Sequence, residues 1–291
     1  MKRRRLIFAA ALVIAALIML FGCGACCLFS PHRCSAHPHG IEPQPPHSPF
    51  TANGITHQVY TFGGGGPDVI LLHELPGLTL DTVALAKKLS GEEHYTVHVP
   101  LMFGEFADKG ANSAGFKKCF NELNCLGNGD SAFSGWLREL IAKRLAGRQV
   151  MVVGMCMTGS AALEVADAPG VVAVVMAQPS LPLPLTRWQR PKIGVTADHA
   201  QCIKKAGTPI LAMRFSEDCM ATRERFRTLR ATFPATQIEF EEVDSRPGNT
   251  AKFCQEAHAT LTGDYSEQAY QHLRRFLAAN STKPAPGAVR P

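Results

Sequence analysis

The segment Gly154-Met155-Cys156-Met157-Thr158-Gly159 is where this 291-residue chain most plainly offers chemistry. It follows the apolar run Val150-Met151-Val152-Val153 and precedes the helix-forming Ala161-Ala162-Leu163-Glu164. Strand, tight turn and helix in that order form a nucleophile elbow, in which a strained turn lifts one reactive side chain out of the sheet. Glycines flank the cysteine because strand and helix approach too closely there for a side chain. At a helix N-terminus the dipole favours the thiolate. An ordinary thiol pKa of ~8.5 still leaves the group mostly protonated at neutral pH, so a base is required.

Later stretches of the chain supply that base and its support. Asp218 closes Arg214-Phe215-Ser216-Glu217-Asp218, directly beyond the apolar Ile210-Leu211-Ala212-Met213. His258 falls between the strand-like 237–243 and a helical stretch at 266–279. In the chain order nucleophile, acid, histidine, the imidazole Nε2 takes the thiol proton while the carboxylate holds the ring through Nδ1. Asp244 is an alternative acid, and Asp198 with His199 a reserve pair. His272 is less suitable, because it lies inside the last helix with no strand end to place it. Glu74 leaves a buried strand at the edge where sheets of this kind bind ligands.

Those placements need a scaffold, and the pattern of the chain provides one. Apolar runs of strand length occur at 68–72, 95–99, 149–153, 171–176 and 209–213, separated by helical stretches such as 80–89 and 134–145. Short buried runs alternating with helices predict an α/β domain over 51–279, a mostly parallel sheet with helices on both faces. Residues 57–62 are expected to add an antiparallel edge strand, with Gly63 to Gly66 turning into the first buried one. Trp136, Leu137 and Leu140 fit the buried face of a helix. The stretch 116–130 reads as a lid, and its Cys119 and Cys125 are spaced so that a disulfide would close a short loop.

Taken together these residues resemble the dienelactone hydrolases, or carboxymethylenebutenolidases, a family with the α/β-hydrolase fold. The likeness covers roughly 69–277. It is carried by Leu72-His73-Glu74-Leu75-Pro76-Gly77-Leu78, the cysteine elbow, Asp218, and His258 with the helix after it. The resemblance implies hydrolysis of a carboxylic ester or lactone by a Cys156-His258-Asp218 triad. It also implies that Glu74 touches the thiol and helps control its ionisation, and that the N–H groups of Leu75 and Met157 form the oxyanion hole. No cofactor or metal is expected. The chain departs from the family at Thr158, where the elbow usually has a second glycine, a change expected to loosen or reshape the turn. Arginines are missing from Leu101-Met102-Phe103-Gly104 and from Ala259-Thr260-Leu261-Thr262, and an apolar rim of Leu101, Met102 and Phe103 points to a less charged substrate. These departures motivate a competing expectation, a catalytically degenerate hydrolase fold serving as an anchored binding module. Thiol redox or metal chemistry at the cysteine-rich 23–34 stretch is a third.

The N-terminus stands apart from the fold. Lys2, Arg3, Arg4 and Arg5 precede 24 positions, 6–29, without a charged residue. As a helix these rise ~36 Å, enough to cross a bilayer, with the positive end in the cytoplasm. Residues 1–30 are therefore expected to be a signal anchor with the domain on the non-cytoplasmic side; a lipoprotein lipidated at Cys23 and a cleaved signal peptide are the alternatives. A Pro- and His-rich linker is expected at 31–50 and a disordered tail at 280–291. Of the net charge of +6, four positives sit in that basic run. From residue 51 onward 25 basic residues face 23 acidic ones, which leaves no footprint for nucleic acid.

Overall fold

The computed structural model describes residues 43–75, 77–107, 121–245, 258–263 and 265–281. The expected anchor, most of the linker and the tail beyond 281 lie outside them. Among the described residues no helix is long and apolar enough to cross a membrane.

Eight strands form one sheet in the order β1-β2-β4-β3-β5-β6-β7-β8. They are β1 (His47–Ala52), β2 (Ile55–Phe62), β3 (Asp68–Leu72), β4 (Thr96–Leu101), β5 (Val150–Met155), β6 (Val171–Ala177), β7 (Ile210–Phe215) and β8 (Ile238–Val243). β1 and β2 pair antiparallel, β2 joins β4 antiparallel, and every other pairing is parallel. β1 begins inside the stretch expected as linker. Its sequence His-Ser-Pro-Phe-Thr-Ala has little strand character, and it is held as an edge by the β2 ladder, with Pro49 opposite Gln58.

The two central strands, β5 and β6, carry no polar side chain because both faces of the sheet are covered. Ile70, Leu72, Val150, Val152, Val174 and Met176 pack with Phe133, Trp136, Leu163 and Leu229 on one side. Val69, Leu71, Met151, Val153, Val175 and Leu211 pack with Leu85, Leu89, Tyr270 and Leu273 on the other. Successive residues thus point to opposite cores, as the two-residue period of a strand demands. The first side carries α2 (Ala132–Glu139), α3 (Met157–Glu164), α4 (Ala197–Ala206) and α5 (Arg223–Thr232); the second carries α1 (Leu80–Gly91) and α6 (Glu267–Asn280). Trp136 is fully buried, its indole N–H donating to Phe50 O at 3.2 Å, so it anchors α2 against the β1 edge as a core residue.

The chain runs from β3 outward to β4 and then returns to place β5 on the opposite side of β3. That reversal opens a crevice at the C-terminal ends of β3 and β5, where sheets of this type hold their ligands. Cys119, half of the disulfide expected with Cys125, lies outside the described residues. Cys125 is buried, and its backbone seats the 123–125 turn on Leu183, whose N–H donates to Cys125 O at 2.8 Å. Cys219 is disulfide-bonded.

Candidate active site

Cys156 joins β5 to α3 with φ 54° and ψ −117°, a conformation that L-residues occupy only when their surroundings impose it. Three things impose it here. Its N–H donates to Ala177 O at 2.9 Å, and its carbonyl accepts from Ser180 N–H at 3.0 Å, so β6 and the loop beyond it grip the turn from one side. Gly154 lets α3 come close: a Cβ there would stand 2.2 Å from Thr158 O. Gly159 does the same for Pro179, whose Cα would be 3.0 Å away. The third is Thr158. Its hydroxyl accepts from Met155 N–H at 2.9 Å and lies 3.0 Å from Leu72 O and 2.8 Å from Met155 O, either of which can take its proton. The threonine therefore stitches the turn to the ends of β3 and β5. The expectation that it would loosen the elbow is corrected: a glycine at this position would leave the buried Met155 N–H without that acceptor.

Asp218 follows β7 and is fixed before it meets any partner, because Oδ1 accepts from Met220 N–H at 2.8 Å and Ala221 N–H at 3.0 Å. Its other oxygen, Oδ2, lies 2.8 Å from His258 Nδ1. With Nδ1 committed to the carboxylate, Nε2 is the ring nitrogen turned to the thiol. Sγ of Cys156, a ring nitrogen of His258 and a carboxylate oxygen of Glu74 all lie within 4.8 Å of one another. Burial alone would depress the imidazole pKa. The negative charges of Asp218 and the Cys156 sulfur, with a hydrogen bond to each, outweigh it and hold the pKa well above its usual value of 6.5. Such a ring keeps its proton beside the sulfur. Ser180 Oγ sits 3.3 Å from Sγ.

Glu74 is 7% exposed, and neutral donors hold it. Thr262 Oγ1 donates to Oε1, and Gln178 Nε2 donates to Oε2 at 3.2 Å. Gln178 Oε1 in turn accepts from Thr260 Oγ1 at 2.5 Å and Thr260 N–H at 3.3 Å. The loop that carries His258 is thus tied by two threonines to the ends of β3 and β6. His73, fully buried, has its pKa lowered to about 4 by desolvation, so it is neutral. Its Nδ1 is 3.1 Å from Glu74 O, and Nε2 accepts from Met102 N–H at 3.0 Å. Phe103 packs edge-on against the same ring at 4.6 Å. Met102 and Phe103 are therefore core, 1% and 3% exposed. The apolar rim expected of them is corrected: hydrogen bonding and ring packing at His73 draw both inward, and Leu101 alone stays partly exposed.

Arg225 is a further buried group beside the site. Its guanidinium donates to Lys192 O at 2.6 Å, Pro179 O and Pro182 O at 2.5 Å, and Met220 O at 3.1 Å. Burial lowers its pKa to about 9, and the charge of Asp218 acts against that fall.

Of the residues expected to act, Cys156, Asp218, His258 and Glu74 come together from the ends of β5, β7, β8 and β3. Leu75 follows Glu74 directly and is half-buried; Met157 is the first residue of α3, whose N-cap has no side-chain hydrogen bond. The reserves do not join them. Asp244 is exposed, His199 bridges Asp130 and Asp167, and His272 bridges Glu239 and Glu241 on the surface of β8. Sequence reasoning missed Gln178, Ser180, Thr260, Thr262 and Arg225. For Gln178 a signal existed, since a polar residue ends the apolar run of β6 at the same sheet edge.

Comparison with known proteins agrees with this architecture. A family model described as the dienelactone hydrolase family matches residues 56–280. No curated protein matches the sequence significantly. Among solved structures, the chain is similar to a putative dienelactone hydrolase from Klebsiella pneumoniae subsp. pneumoniae, with 18% identity, TM-score 0.53 and coverage of 82% of this chain and 98% of that one. It is also similar to a dienelactone hydrolase-like promiscuous phosphotriesterase from metagenomic libraries (12% identity, TM-score 0.56, coverage 81% and 97%). A third is a soluble variant of monoglyceride lipase from Saccharomyces cerevisiae in complex with a substrate analog (12%, 0.56, 86% and 100%). At such identities the likeness establishes the α/β-hydrolase fold and nothing finer.

Proposed function

The chain belongs to the dienelactone hydrolase family, and on that premise we propose that it hydrolyses an uncharged carboxylic ester or lactone through a thioester on Cys156. The observation that carries this reading is the convergence of sulfur, imidazole and Glu74 carboxylate within 4.8 Å, with the imidazole held by Asp218 at 2.8 Å. The thiolate attacks the substrate carbonyl, and the N–H groups of Leu75 and Met157 receive the developing oxyanion, each donor being worth ~3 kcal/mol. His258 gives its Nε2 proton to the departing alkoxide. It then takes one from water, whose attack on the thioester releases the acid and restores the thiolate.

An uncharged substrate is favoured by what surrounds the sulfur. The Glu74 carboxyl is held by neutral Gln178 and Thr262, and Ser180 and Thr260 are neutral too; among the described residues no cation pairs with Glu74 to receive a substrate carboxylate. We further propose that the domain works outside the cytoplasm, held by the apolar 6–29 stretch. The Cys219 disulfide supports an oxidising compartment.

Intact-mass measurement after mixing with a panel of aryl esters and lactones tests the chemistry. The expected result is a protein species heavier by one acyl group, absent in Cys156→Ala, which also loses turnover while keeping its melting temperature. Equal turnover by the two proteins would refute the proposal. Labelling of Cys202, which is exposed, by a membrane-impermeant maleimide on intact cells tests the location.

A further inference from the structure

We infer that Cys156, His258 and Glu74 form a high-affinity site for a thiophilic divalent cation of the zinc class, and that such an ion shuts the hydrolase off reversibly. The three donors lie 82 and 102 residues apart in sequence (156 − 74 and 258 − 156), with none of the short spacings by which metal sites announce themselves. Folding alone assembles them.

The donor atoms fall within 4.8 Å of one another. Donors on a tetrahedral zinc, at bond lengths of ~2.0–2.3 Å, stand ~3.5 Å apart, so side-chain adjustments of about an ångström complete the cage. One sulfur, one imidazole nitrogen and one carboxylate oxygen are borderline-soft ligands that suit zinc or cadmium and not magnesium or calcium. Three protein ligands with a fourth position open is the pattern of an accessible zinc site.

The surroundings complete the argument. Metal-binding histidines characteristically give their second ring nitrogen to a carboxylate, which fixes the tautomer and sharpens the free nitrogen as a ligand. His258 does this with Asp218 at 2.8 Å. Ligating carboxylates are themselves hydrogen-bonded, as Glu74 is by Thr262 and by Gln178 at 3.2 Å. Charge points the same way. The buried Glu74 has only neutral donors, and Asp218 adds a second carboxylate. An incoming dication adds positive charge beside these carboxylates. The ion then occupies both the nucleophile and the base, so ester and metal exclude one another.

Full-length protein titrated with cadmium tests this without relying on turnover. The expected signal is an ultraviolet thiolate-to-cadmium charge-transfer band. One equivalent of it is lost in Cys156→Ser, while any signal from other cysteines persists. Zinc is expected to displace the cadmium. Glu74→Gln should weaken binding by at least ~10-fold, and Thr262→Val, which touches only the support of Glu74, by ~10-fold. Unchanged stoichiometry in Cys156→Ser overturns the site. Wild-type affinity in both Glu74→Gln and Thr262→Val, with native circular dichroism, overturns the three-donor assignment. Where ester turnover is present, zinc should inhibit it competitively and a chelator restore it; absent turnover sinks the proposed hydrolysis but leaves the charge-transfer measurement intact.

Discussion

Replacing Thr158 by valine removes one oxygen and almost no volume, and the structure says what that oxygen holds. It is the acceptor for the buried Met155 N–H at 2.9 Å, and its own proton goes to Leu72 O at 3.0 Å or Met155 O at 2.8 Å. Stranding a buried amide costs ~1–3 kcal/mol, and losing the donated bond adds ~1 kcal/mol, so Thr158→Val should destabilise by about 3 kcal/mol. At ~2–4 °C per kcal/mol for a domain of this size, the melting temperature falls by ~6–12 °C. Function should suffer too. The lost hydroxyl, 3.0 Å from Leu72 O, no longer helps to hold the end of β3, beyond which lie Glu74 and Leu75, to the turn that carries Cys156. Displacement of reacting groups by an ångström costs up to ~100-fold, so kcat on an aryl ester should fall ~10–100-fold with a smaller change in KM. Thr158→Ser keeps the oxygen and should stay near wild type in both. Thr158→Gly, the residue expected in this family, should be at least as damaging as valine. Thermal melts by circular dichroism and steady-state kinetics read both effects. A valine variant that melts and turns over like wild type, or a serine variant as impaired as valine, would show the reasoning wrong.

Glu164 is 4% exposed, and desolvation raises its pKa to about 7 although Ser131 donates to it from both N–H and hydroxyl. The folded chain keeps a proton that the unfolded chain sheds near 4.5. Stability should therefore drop by up to ~3 kcal/mol as pH rises from ~4.5 to ~7 and level off above, and Glu164→Gln should erase that slope in urea midpoints; parallel pH profiles for the two proteins refute it. His258 has the opposite charge but the same sense, with its folded pKa above the unfolded ~6.5. Its stabilisation is complete below ~6.5 and lost as pH climbs through the folded value, so the melting advantage of wild type over His258→Gln should shrink in alkaline buffer rather than stay constant. Arg225→Met strands four carbonyls and should cost ~3–5 kcal/mol in chemical denaturation, whereas a midpoint within error of wild type would remove the guanidinium from any structural role.

The scaffold was legible because it depends on local pattern. Five short, largely apolar runs announced a doubly covered sheet, and beyond two of them and the strand-like 237–243 the chain offered a nucleophile, an acid and a histidine in a telling order. β1 was not legible, since its residues resemble a linker and only the ladder with β2 makes them a strand. Met102 and Phe103 looked like a rim because apolar residues after a strand end usually face the cleft; the buried neutral His73 turns them inward. Gln178, Thr260 and Thr262 were silent for a different reason. Their hydrogen bonds exist only once the loop after β8 folds over the ends of β3 and β6, and polar residues in a loop carry no mark of what they will meet. Thr158 misled because a family expectation about backbone freedom hid a hydroxyl that accepts from Met155 N–H and gives its own proton to Leu72 O or Met155 O.

The Arg225 guanidinium links stretches of chain that arrive from different strands: 179–182 beyond β6, Lys192 ahead of α4, and Met220 beside Asp218. These loops consequently behave as one inherited block. A graft or insertion that changes any one of them must preserve the reach of a single side chain to the others.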